Sequence, residues 1–171
     1  MKQLRNSTIE ALDQLEQLIT LAAKYQDGEF YNQAPEHVMS GIGKHVRHIL
    51  DHFLAFQQGI ISGCVDYNLR HRDSRIEDDH KLAKQLVLEL RNWLMDTELE
   101  DANIEIESEV SVQSEVNQRF RSSVSRELCY LINHSVHHIA YATLLAQSLG
   151  MIVNPKLGVA PSTASYLRQQ K

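Results

Sequence analysis

The stretch SVSRELCYLINHSVHHIAYATLLAQSLG, residues 123–150, reads as one long helix and sets the fold class. Leu128, Leu131, Ile132, Ile139, Leu145, Ala146 and Leu149 recur at helical spacing and form an inward stripe. Gly150 supplies the stop, because glycine accepts the left-handed conformation that ends helices. Within this helix His134 and His138 lie about 40° apart around the axis and about one turn along it. Two imidazoles therefore share one surface.

Working outward, GIGKHVRHILDHF at residues 41–53 carries a second set, His45, His48 and His52. Its helix is expected from near Ser40 to Gly59 or Gly63, with Ile42, Val46, Ile49, Leu50, Phe53, Leu54 and Ile60 facing the core. The three histidines fall within about 60° of one another, on the border of that stripe. Three neutral imidazoles with open positions make a reactive divalent-metal site. His134 and His138 would supply two, and His48, or its neighbours His45 or His52, the third. The competing reading is a set of half-buried histidines bonded to carbonyls or solvent.

Two more helices complete the pattern. The first is expected from Ser7 to about Asp27, with Ser7 and Glu10 at capping-box spacing and Ile9, Leu12, Leu15, Leu18, Ile19 and Ala22 as its stripe. The third is expected to open at a second such pair, Ser74 and Glu77, and to bury Leu82, Leu86, Leu90, Trp93 and Leu94. Between the second and third lies a polar loop, VDYNLRHRDS. Ile104, Ile106, Val110, Val112, Val116 and Phe120 all sit at even positions, which is strand alternation and predicts a hairpin turning near Gln113–Glu115. The expected fold is mainly α: a four-helix bundle with a short β excursion before the last long helix, one domain over residues 1–171 with a tail from about 151. Pro161 or Ser162 would open a final short helix in that tail.

Composition excludes several classes. Apolar residues make up 43% and charged residues 23%, and the net charge is −5 without a basic block, so no nucleic-acid partner is expected. No apolar run is long enough to span a bilayer, and no membrane partner is expected. Cys64 and Cys129 make no disulfide framework, which fits a cytoplasmic home; Cys64 falls in a loop and Cys129 reads as a buried small hydrophobe. Ser135 follows His134, so the His-Glu-x-x-His metalloprotease motif is absent. Glu77 and His80 have the Glu-x-x-His spacing of di-iron carboxylate bundles, but there is no second copy.

Together, GIGKHVRHILDHF and SRELCYLINHSVHHIAYATLLAQSLG resemble the DinB-like superfamily of bacterial metal-binding four-helix bundles, over roughly residues 5–150. The VDYNLRHRD loop and the GVAPSTASYLR tail look like branch-specific additions. The resemblance implies one metal histidine on the second helix and two in H-x-x-x-H on the last. By position these are His48, five residues after Gly43, with His134 and His138; His45, His52 and His137 become pocket residues. It also implies a divalent metal, zinc or nickel first, a small-molecule substrate with a low-molecular-weight thiol, and a homodimer. The better understood members resemble thiol-dependent enzymes: transferases using bacillithiol or mycothiol, an isomerase using mycothiol, and a domain in ergothioneine synthesis.

The expected function is therefore a metal-dependent enzyme, a thiol-dependent S-transferase acting on a small electrophile. A metal-dependent hydrolase and a non-enzymatic metal-binding or structural homodimer are the alternatives. His45, His52 and Tyr141 are the acid–base candidates; Tyr141 lies about 20° from His134 around the helix. Asp51 and Glu127 read first as salt-bridge residues and second as acceptors that orient an imidazole. The segment Asp66–Ser74, with Arg70, His71, Arg72 and then Arg75, reads first as a solvated connector and second as a basic lid for an anionic substrate or thiol.

Overall fold

Thr8 is fully buried, and its hydroxyl donates to the carbonyl of Leu4 at 2.8 Å. In the computed structural model, which describes residues 1–69, 71 and 74–170, the first helix thus begins before Ser7. Helix α1 spans Lys2–Lys24. Leu4 packs on the core and Arg5 donates to the Thr97 carbonyl, so tertiary contacts extend the helix past the expected Ser7 cap. The expected apolar stripe is the buried one, with Ile9 at its edge. A short turn closes at Gly28, whose φ of 92° only glycine adopts readily. Helix α2, Glu29–Asn32, follows and buries Tyr31.

Helix α3 spans Ile42–Ser62 and ends on Gly63 in the left-handed conformation. Strand β1, Cys64–Asp66, comes next, inside the segment expected to be an irregular loop. Val65 is buried, and the strand pairs in parallel with β2, Asn103–Glu109, through Val65 opposite Ile106. Helix α4 spans His80–Asp96, starting after the expected Ser74 cap. Its cap is Asp79, whose carboxylate accepts from the N–H groups of Lys81 and Leu82. Glu77 does not reach back to Ser74, because Arg47 of α3 holds its carboxylate at 2.9 Å.

Strand β2 also pairs antiparallel with β3, Asn117–Ser123, giving the sheet order β1-β2-β3. Ile104 and Ile106 are buried as the alternation predicts. Val110, Val112, Val116 and Phe120 are exposed, because the hairpin tip and the edge strand β3 run beyond the helices. Helix α5, Val124–Ser148, is capped by Ser123 and stopped before Gly150, as its sequence predicts. The tail ends in α6, Pro161–Gln169. Helices α1 and α3 each pack against both α4 and α5, and one apolar cluster joins all four with β1 and β2. The fold is mainly helical with a small three-stranded sheet. Among the described residues no helix is long and apolar enough to cross a membrane.

Candidate metal centre

Helices α3 and α5 pack on each other with their histidine faces together. The contacts step along the two helices in opposite directions: His45 meets His138, His48 meets His134, and His52 meets His134 and Tyr130. The helices therefore run antiparallel here. Both sets expected from the sequence thus converge on one place. His137 is exposed, and its ring meets that of His138 edge-on at 5.4 Å.

The Nε2 atoms of His48 and His134 lie 3.1 Å apart. Two nitrogens bonded to one zinc ion at tetrahedral angles sit about 3.3 Å apart, so this spacing is that of a ligand pair. Ligand atoms of His48, His52 and His134 all fall within 4.8 Å of one another. The His138 ring lies 4.4 Å from that of His48 and 4.6 Å from that of His134, centroid to centroid. Its Nδ1 is 3.2 Å from His45 Nδ1. The donor set, imidazoles alone with no carboxylate among them, fits a borderline divalent ion such as zinc or nickel.

His45 is on the outer side. Its Nε2 sits 3.0 Å from the Ser40 hydroxyl, and its ring lies 4.8 Å from that of Tyr141, which is 44% exposed. Burial, reinforced by the charges of Arg47 and His137, holds the His45 imidazole below its ordinary value. His52 is on the inner side and only 5% exposed. Behind it stands Tyr67, whose hydroxyl donates to Glu127 at 2.7 Å. Burial first, and then the Glu127 carboxylate, push the Tyr67 phenol far above its ordinary value.

The two carboxylates are engaged elsewhere than on an imidazole of the cluster. Asp51 takes Arg47 at 3.0 Å and the His71 ring at 2.8 Å. Glu127 takes Tyr67, Ser122 and Arg126. Both carboxylates are buried and form salt bridges, each with an arginine of its own helix and not the surface or inter-helix bridges expected. In the Asp66–Ser74 segment His71 is pinned to α3 through Asp51, while Arg70 and Arg72 lie outside the described residues. Arg75 turns to Asp79. Cys64 lies in β1, and Cys129 is exposed on α5 instead of buried.

Tyr67 and Tyr130 were not among the sequence candidates. Tyr130 precedes His134 by one helical turn and stacks on it at 5.3 Å, a placement that i,i+4 spacing could have found. Tyr67 carries no such signal, since β1 delivers it.

No family model matches the chain, and no solved structure matches it. Over 108 residues the chain is 26% identical to FK506-binding protein 5 of Rhizopus delemar, a match covering 62% of this chain and 28% of that protein. The chain thus corresponds to well under two thirds of that relative.

Proposed function

We propose that this chain is a DinB-like four-helix bundle holding a divalent metal ion, zinc or nickel first, at His48 and His134 with His138 as the further imidazole that the resemblance implies. The bundle reading is supported by the packing of α1 and α3 against both α4 and α5. The metal reading rests on one observation, the 3.1 Å approach of the His48 and His134 Nε2 atoms with His52 as the third imidazole within 4.8 Å; His138 comes from the resemblance alone. In this reading the protein is a cytoplasmic S-transferase, a homodimer acting with a low-molecular-weight thiol on a small electrophile.

His48, His134 and His138 would hold the ion, which when bound would favour the thiolate, the nucleophilic form of a thiol. The protein's own groups do the rest. Tyr67 and Tyr130 wall the inner side. His45 and Tyr141, on the outer side, hold or pass the proton that the reaction releases. A water molecule in place of the thiol would give the hydrolase reading.

The 3.1 Å contact also favours a second reading. One proton shared between two neutral imidazoles satisfies both, so the cluster stands as a polar network without metal. Metal analysis of purified protein and zinc titration of the apo form separate the two. Stoichiometric binding that is lost when His48, His134 and His138 are all changed to Ala supports the centre. Titrations that this change leaves unaltered sink it. Thiol consumption in the presence of an electrophile panel, dependent on the ion, then tests the transferase.

A further inference from the structure

The cluster has an inner side that the resemblance leaves unused. His52 follows His48 by one turn of α3, and its Nδ1 lies 2.9 Å from the His48 carbonyl oxygen. A carbonyl only accepts, so the proton is on Nδ1 and the lone pair is on Nε2, the tautomer a metal ligand needs. The His52 and His134 rings are 4.0 Å apart, the shortest ring spacing in the cluster. Tyr67 stacks on the opposite face of this neighbourhood, 5.2 Å from His52 with the rings 25° from parallel. Its hydroxyl is tied to Glu127, which is 0% exposed. A buried carboxylate thus locks the tyrosine, and the tyrosine blocks the imidazole from swinging inward. On the outer side, by contrast, His138 is drawn toward His45.

We propose that His52 is itself a ligand of the ion held by His48 and His134, and that Tyr67, fixed by Glu127, is the positioning residue that keeps it there. The inference rests on the metal reading above and deepens it. It would give the centre one i,i+4 ligand pair on α3, His48/His52, facing His134 on α5. Three imidazoles would fit a borderline divalent ion such as zinc or nickel. The open side is then the one lined by His45 and Tyr141.

The test uses the whole chain labelled with ¹⁵N-histidine and loaded with ¹¹³Cd²⁺. Wild-type protein is expected to show ¹¹³Cd coupling at His52 Nε2 as well as at His48 and His134. In zinc titrations His52→Gln and His52→Ala are expected to weaken binding by about 100-fold or more, beyond the 10–100-fold typical of groups that merely orient a ligand. Tyr67→Phe should weaken it about 10-fold and alter the visible spectrum of the Co²⁺ form, while Glu127→Gln, whose amide oxygen can still accept from Tyr67, should retain affinity and spectrum close to wild type. Coupling at His48 and His134 without His52, or wild-type affinity in His52→Gln, overturns the inference and leaves the metal reading standing. Wild-type protein that binds neither Cd²⁺ nor Zn²⁺ overturns both.

Discussion

His48 Nε2 and His134 Nε2 face each other at 3.1 Å across the junction of α3 and α5. An ion between them would link the two helices and bind only the folded chain. Zinc is therefore expected to raise the melting temperature in a concentration-dependent way, with about 2.7 kcal/mol of stabilisation when free ion reaches 100 times Kd. EDTA should reverse the shift, and His48→Ala should abolish it. Ligand imidazoles must be neutral, so the shift should shrink as pH falls below about 6.5, the ordinary histidine value. A zinc-induced shift that stays constant from pH 8 to pH 5 would exclude an imidazole centre. Differential scanning fluorimetry across that range measures it.

Arg47 bridges Asp51 at 3.0 Å and Glu77 at 2.9 Å, and the carboxylates are 2% and 8% exposed. Removing the guanidinium leaves two buried carboxylates without their cation. Arg47→Ala is expected to destabilise the fold by about 3–5 kcal/mol, read as a lowered urea midpoint. Arg47→Lys should fall between, since an ammonium lacks the planar fork that serves two carboxylates at once.

Gly43 lets the segment before α4 lie directly on α3. A Cβ at that position would collide with the Glu77 carbonyl and come within 3.0 Å of the Tyr31 ring. The backbone there is helical, so space and not conformation is the constraint. Gly43→Ala is expected to cost about 1–3 kcal/mol as an overpacked site. The same displacement should loosen the Arg47–Glu77 pair. Combining Gly43→Ala with Arg47→Ala should therefore cost less than the two single losses together, measured by a double-mutant cycle in urea.

Features that are legible in the sequence share a physical property: their signals are local. Ser123, Gly150 and Gly63 lie beside the helix ends they define, so α5 and the end of α3 follow from neighbouring residues. Ser74 and Glu77 have the same spacing as a capping box, yet Glu77 is taken by Arg47, 30 residues away in the chain. The start of α1 depends in the same way on Arg5 reaching Thr97. Strand β1 has only three residues, too few to show a period, and forms because β2 offers an edge. The candidate site divides along that line. Helical spacing gave His45, His48 and His52 one face of α3 and His134 and His138 one face of α5, and the packing of α3 on α5 brings the two faces together. The inner wall was hidden because Tyr67 follows the short strand β1 and is held by Glu127, 60 residues on.

Tyr67 and Tyr31 set an alkaline limit to the fold. Burial raises both phenols well above the ordinary value of 10.0, with Glu127 adding to the effect at Tyr67 and the acidic run Asp79, Asp78 and Glu77 adding at Tyr31. The sign follows from linkage. Below pH 10 both states keep the protons, and the buried, neutral phenols contribute their full stability. Above it the unfolded chain releases them while the folded chain retains them, so stability falls as pH rises. The protein is expected to lose stability progressively beyond about pH 10. Tyr67→Phe should flatten that decline, even though it lowers stability at neutral pH by removing a donor from the buried Glu127 carboxylate, a loss of about 1–3 kcal/mol. Urea midpoints at pH 8, 10 and 11, followed by Trp93 fluorescence, measure both effects in one series. A variant that declines as steeply as wild type between pH 8 and 11 would show that Tyr67 ionises in the folded state as readily as in the unfolded one.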